Sequence, residues 1–217
     1  MQSLISGIIF TVVLCLNLQG QTNKKGTSGD LPEKITVPLV NSCQIKIDGV
    51  FPENEWKEAL KFNMSENFAI HFIADNDNLY IGLEYAGKVA DYKQPLDCLT
   101  EVYFSTNSTE FYNLHSSGRL AEGINRFSSD LKQPKYSLEE VAGWEANFGS
   151  HVRENNLNCK GNEYKISLSK IKSRTLKMAC GIMAVNFSFR ESANFPVNYS
   201  YKNSNNWVEL ILPYNTK

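Results

Sequence analysis

Short segments in which apolar and polar residues alternate recur along this chain, and no feature of the sequence restricts its fold more. They fall at residues 68–72, 79–85, 99–104, 164–168, 183–189 and 208–212. In the second, Leu79, Ile81, Leu83 and Tyr85 share one face while Gly82 and Glu84 take the other, the pattern of a half-buried strand. Asp75-Asn76-Asp77-Asn78 separates the first two segments, and short Asx side chains can close a hairpin by bonding their own backbone. A calcium loop is the competing reading, but the glycine and terminal glutamate of an EF-hand are missing, which favours a plain hairpin. Helical signals are few. Pro52 to Leu60 predicts one or two turns that place Trp56, Ala59 and Leu60 on one face against the core, and residues 137–141 predict a second short turn. The reading is all-β: a single-domain antiparallel β-sandwich with one or two short helical turns.

The first twenty residues stand apart from this pattern. They carry no charged side chain, and the apolar run at residues 8–16 is shorter than the roughly 20 residues that cross a bilayer. An export signal over residues 1–20 is the expectation, cleaved after Gly20, with a retained membrane anchor as the alternative. Its ending, Leu-Gln-Gly-Gln, resembles those of exported bacterial proteins, and in a bacterium the four Asn-x-Ser/Thr sequons would carry no glycan. A polar leader, 21–40, and the sandwich domain, 41–217, follow. An oxidising compartment would allow Cys43, Cys98, Cys159 and Cys180 up to two disulfides in three possible pairings. The alternative is four unpaired thiols, and the pairing stays open.

Charge and composition then exclude whole classes. With 22 Lys and Arg against 23 Asp and Glu, the net charge of −1 leaves no basic surplus for nucleic acid, and 12 Phe, 10 Tyr and 3 Trp exclude wholesale disorder. The chain has no G-x-x-x-x-G-K-[ST] phosphate loop, no G-x-S-x-G elbow and no H-E-x-x-H metal motif. His71, His115 and His151 are scattered, and each reads first as a strand histidine that is hydrogen-bonded or half exposed. A pair of carboxylates suited to glycoside hydrolysis needs nearness only in space. The expectation is a protein that is not an enzyme and holds no cofactor; a metal is neither assigned nor excluded.

Several stretches, in order, resemble carbohydrate-binding module family 9 and its relatives. Ile47-Asp48-Gly49 leading to Trp56-Lys57-Glu58-Ala59 is similar to the family's opening Asp-Gly turn and Trp-x-x-Ala segment. Phe72 to Ile81 resembles its acidic turn and Leu-Tyr strand, and Asp97 to Phe104 its Asp-x-x-x-Glu strand. Phe111-Tyr112-Asn113-Leu114, Ser117-Gly118-Arg119, Trp144, Gly161 to Leu168 and Ala184 to Phe187 continue the series. The resemblance covers roughly residues 45–213. It implies a β-sandwich that binds saccharides, in which aromatic rings meet the C–H faces of a sugar and charged side chains bond its hydroxyls. By that resemblance Glu101 and Arg119 are polar ligand contacts and Trp207 is a late aromatic platform. The chain departs from the family where sugar-binding members place a tryptophan, reading Tyr92-Lys93-Gln94-Pro95-Leu96 instead. An aromatic sandwich would therefore use Tyr92 with Trp207. Trp56 and Trp144 are expected in the core.

Three functions follow from the sequence. The first is an exported non-catalytic carbohydrate-binding protein, free of the membrane once its signal is removed. The second is a structural or adhesion domain of the same fold that has lost the sugar site and binds protein partners; Glu101 and Arg119 would then be a surface ion pair across neighbouring strands. The third is a haem-binding sandwich using His71 with Met64, Met178 or Met183.

Overall fold

The computed structural model describes residues 32–87, 97–106, 110–117, 121–127, 135–140, 143–147, 160–171, 173–186, 189–201 and 204–212. The stretches 1–20, Tyr92, Arg119, His151 and Cys159 lie outside the described residues. In chain order the elements are β1 (Lys34–Thr36), α1 (Glu53–Trp56), β2 (Leu60–Asn63), β3 (Phe68–Ala74), β4 (Asn78–Tyr85), β5 (Asp97–Ser105), β6 (Glu110–Ser116), β7 (Ala121–Phe127), β8 (Lys135–Glu140), β9 (Trp144–Ala146), β10 (Gly161–Ser167), β11 (Thr175–Val185), β12 (Arg190–Phe195) and β13 (Val208–Ile211).

Among the described residues these strands make two sheets. The larger runs β1-β13-β11-β5-β6-β7-β8, with β12 also paired to β11, and the smaller runs β2-β3-β4-β10-β9. Neighbours are antiparallel except at one edge, where β1 pairs β13 in parallel. The sheet thus takes in residues 34–36 of the stretch expected as a polar leader, because Ile35 and Val37 point into the core and are buried there.

Alternation decides what lies between the sheets. Ile70, Phe72, Leu79, Ile81 and Leu83 of the smaller sheet meet Val102, Leu114, Met178, Cys180 and Leu210 of the larger. Each such side chain, fully removed from water, contributes about 1.5–3 kcal/mol. One polar strut crosses this apolar layer: Tyr164 Oη lies 2.6 Å from Thr100 Oγ1 and also donates to the Thr100 carbonyl at 3.3 Å. Trp144 packs against the core from β9, its ring stacked on Tyr164.

The acidic turn between β3 and β4 closes on itself. Asp75 Oδ1 accepts from the backbone N–H groups of Asp77 (2.9 Å) and Asn78 (2.8 Å). Its Oδ2 accepts from the Tyr80 hydroxyl (3.1 Å) and the Cys43 N–H (3.4 Å). Burial alone would raise the Asp75 carboxyl, but these four bonds hold it below its ordinary value. Its oxygens are fully engaged by the chain, as the hairpin reading requires.

Three local expectations give way. Residues 137–140 belong to β8, an edge strand paired with β7, so the acidic pair there marks no helical turn. The strand expected at 183–189 ends at Val185, where the Asn186 N–H donates to the Phe189 carbonyl at 2.9 Å and the chain reverses into β12. Finally, α1 is one turn, within the one or two expected, and Trp56 is buried as expected, but the three residues do not share a face: Trp56 and Ala59 pack on the outside of the smaller sheet with Ile73 and Tyr80, while Leu60 reaches the core between the sheets.

Candidate functional site

The outer face of the larger sheet carries the polar position singled out by sequence. On β5, Val102 and Phe104 point inward, so Glu101 and Tyr103 point out. Register places Glu101 beside His115 of β6 and Gly181 of β11. The Glu101 side chain is 42 % exposed, and its Oε1 lies 3.9 Å from His115 Nδ1. The Tyr103 hydroxyl donates to its Oε2.

Gly181 matters because of what stands over it. A methyl group added there would sit 3.0 Å from Asn194 Oδ1 and 3.3 Å from the Tyr199 hydroxyl. Glycine therefore lets an amide and a phenol come down to the sheet beside the Glu101 carboxylate. The Tyr199 ring is 5.8 Å from that of Tyr103. Burial raises the Tyr199 hydroxyl above its ordinary value, so it stays protonated and able to donate. Asn113, next to Tyr103 across the β5–β6 ladder, is buried with its Oδ1 unpartnered. The result is a carboxylate acceptor, a phenol, an imidazole and an amide around Gly181, with the Tyr103 phenol buried beneath the carboxylate it steadies. This set suits a ligand with several hydroxyl groups, each able to donate and accept.

Trp207 is close by but does not present a ring face. It is 5 % exposed, and its indole N–H donates to the Ser200 carbonyl at 2.9 Å. Tyr103 and Phe111 pack on it at centroid distances of 6.0 and 5.8 Å. It props the loop at residues 196–201 and belongs to a small outer cluster with Tyr103 and Ala179. That loop carries Tyr201, which is 45 % exposed. Of the four residues marked in sequence, Glu101 and Trp207 are thus brought to the same face, and Tyr92 and Arg119 lie outside the described residues. Sequence reasoning passed over Tyr103, His115, Gly181, Asn194, Tyr199 and Tyr201; the alternation of β5 and β6 would have shown Tyr103 and His115 on the Glu101 face, whereas the loop contributions depend on tertiary structure.

The outer face of the smaller sheet is organised by two other acids. Glu163 on β10 is fully buried, accepting from the backbone N–H groups of Asp48 (2.9 Å) and Gly49 (2.8 Å) and from the Trp56 indole (3.0 Å). Burial pushes its carboxyl up to about 8, against the pull of these donors. Gly49 has φ +78°, a conformation that favours glycine, which is why an Asp-Gly turn occupies this place. On the adjacent strand β4, Glu84 Oε2 takes bonds of 2.8 Å from both His71 Nε2 and Lys61 Nζ. Burial would raise Glu84, yet these partners bring it down to about 2. Burial lowers His71, so the ring is neutral and donates through Nε2.

This arrangement rules out the haem reading. His71 faces outward on the smaller sheet with Nε2 committed to Glu84, while Met64 and Met178 lie in the core and Met183 is on the other sheet. Among the described residues no three His, Cys, Asp or Glu side chains group to hold a metal ion. Cys98 is disulfide-bonded, and Cys43 and Cys180 are free. Burial raises both free thiols, Cys43 to about 12, which keeps them unreactive.

No protein-family model matches the chain, and no curated protein does. Among solved structures, two of a carbohydrate binding module family 9 from Caldicellulosiruptor kristjanssonii are similar in fold, one in complex with glucose and one with cellotriose. Both share 13 % identity and a TM-score of 0.46 over 85 % of this chain, and the alignment covers 97 % and 95 % of theirs.

Proposed function

We propose that this chain is an exported, non-catalytic carbohydrate-binding protein whose saccharide lies on the outer face of the larger sheet around Glu101. One observation carries the reading: an exposed carboxylate, oriented by a phenol, stands next to Gly181 where the Tyr199 hydroxyl and the Asn194 amide reach the sheet. Such a floor offers acceptors and donors at several heights, as vicinal hydroxyls require, and the loop that brings Tyr199 to it also carries the exposed ring of Tyr201. By the sequence resemblance Arg119 is a further polar contact, and Tyr92 is the aromatic available where the family places a tryptophan. With Trp207 committed to packing, Tyr201 takes the role of stacking platform. The disulfide at Cys98 and the uncharged apolar start support export.

The experiment is calorimetric titration of the purified protein with glucose, cellotriose and a wider panel of neutral oligosaccharides. Glu101→Ala is expected to weaken binding at least about tenfold, the value of a charge-assisted hydrogen bond. Tyr201→Ala is expected to weaken it while Trp207→Ala unfolds the loop.

A second reading, a structural or adhesion domain that binds protein, is favoured by the burial of Trp207, which leaves no open indole for a sugar. Folded protein that binds no glycan but captures a protein partner in a Glu101-dependent way would establish it.

A further inference from the structure

The smaller sheet carries a cleft of about 640 Å³ on its outer face, on the opposite side of the sandwich from Glu101. Two outward rows of side chains make its floor: Lys61 and His71 lead to Gly82, and Asn63 and Ala69 lead to Glu84. Gly82 lets the wall stand close, since a methyl group there would lie 2.7 Å from the Phe51 ring and 2.9 Å from that of Trp56. Phe51 stacks on Trp56 at 5.6 Å, and both rings lean on His71. The wall is rigid because Trp56 is held by Glu163 from beneath.

The polar groups of the cleft have capacity to spare. Both bonds to Glu84 fall on Oε2, and among the described residues Oε1 takes none. Lys61 uses one of its three donors on Glu84, and the amide of Asn63 is exposed. The buried Nδ1 of His71 is unpartnered. The charges cancel, with Glu53 and Glu84 against Lys57 and Lys61, so the cleft favours neither an anion nor a cation.

We propose that this cleft is a second ligand site and that it takes a neutral saccharide unit, stacked on Phe51 and bonded through its hydroxyls to Glu84, Lys61 and Asn63. An aromatic wall beside a charge-balanced set of donors and acceptors matches a ring with one C–H face and a hydroxyl rim. A sheet-to-sheet spacing of about 10 Å separates this site from the Glu101 face. The two therefore engage different chains or distant parts of one chain, and the domain becomes a cross-linker instead of a single-ended binder. Either site can fail while the other holds.

The test uses full-length protein carrying Glu101→Ala, so that only the second site responds. Cellobiose, xylobiose, maltose, laminaribiose and chitobiose are titrated in two-dimensional NMR, with the Gly82 and Ala69 amides and the Asn63 side-chain amide as reporters. At least one disaccharide is expected to shift these resonances with Kd about 1 mM or tighter. Lys61→Ala with Asn63→Ala, both exposed positions, is expected to weaken that response about tenfold with the spectrum otherwise intact. A cleft that stays silent to all five, or shifts that persist unchanged in the double variant, would overturn the proposal.

Discussion

Glu101 and Glu163 occupy equivalent places, each on an outward row of a central strand, and the chain has used them in opposite ways. Glu163 is 0 % exposed and its three donors come from residues more than a hundred positions away in sequence. It pins the segment from Asp48 to Trp56 to the smaller sheet. Glu101 is 42 % exposed, and its one hydroxyl donor is two residues along its own strand. A carboxyl group whose oxygens are filled by distant donors is part of the fold, whereas one steadied by a local neighbour keeps acceptor capacity for a ligand. The same logic applies to the two tryptophans laid on outer faces. Trp56 and Trp207 each spend the indole N–H on the chain, to Glu163 and to the Ser200 carbonyl, so both are supports for what stands above them.

The contrast breaks most visibly when the pinned acid is removed. Glu163→Ala leaves two backbone N–H groups and the Trp56 indole N–H unsatisfied, and a loss of about 3 kcal/mol or more in urea denaturation is expected. Glu101→Ala, judged by the same measurement, should stay within about 0.5 kcal/mol of the parent. A comparable loss in both would erase the distinction.

Proton linkage gives a second, somewhat smaller separation, between Glu163 and its neighbour Glu84. Folded Glu163 keeps its proton up to about 8, while the unfolded carboxyl ionises near 4.5. Between those values the unfolded chain binds fewer protons, so stability falls as the pH rises from about 4.5 to about 8. Glu84 is held at about 2, so its contribution is complete above 4.5 and is lost as the pH falls toward 2. Urea midpoints measured across pH should peak near pH 4.5. Glu163→Gln should flatten the alkaline limb and Glu84→Gln the acid limb, and an unaltered profile in either variant would refute that assignment.

Smaller still is the change expected at Gly181. Gly181→Ala puts a methyl 3.0 Å from Asn194 Oδ1 and 3.3 Å from the Tyr199 hydroxyl. Saccharide affinity should fall with a stability cost of at most about 1 kcal/mol. Tyr201→Ala should not alter stability measurably, because the ring is half exposed, and should register in binding alone.

Much of this architecture can be read in the sequence where alternation and turn chemistry coincide. Residues 79–85 alternate without interruption between the Asx turn and Ala86, and β4 follows them to within one residue. The edge strands were harder. β12, with the sequence Arg-Glu-Ser-Ala-Asn-Phe, has weak strand propensity and exists because β11 offers it a ladder from Cys180 to Val185. β8 has an acidic pair suited to a helix start, and pairing with β7 overrides it. At the site, Glu101 was legible through its motif. Trp207 reads as a platform by the resemblance alone, and nothing local to it reveals that Tyr103 and Phe111 close over the ring. Glu163 gave no sign at all, since an outward strand acid normally meets water and only the distant Asp-Gly turn covers this one.

The parallel edge made by β1 and β13 has a mechanical meaning. Lys34, Ile35 and Thr36 run alongside Glu209, Leu210 and Ile211 in the same direction, with further bonds from the Glu209 N–H to Glu33 and from the Val37 N–H to Ile211. Tension applied to the chain before β1 and after β13 would pull these two strands past each other along their length. Every bond in the ladder then bears load at once, in shear, and none can be peeled open singly. Force transmitted along the chain through this domain would be resisted first at this edge.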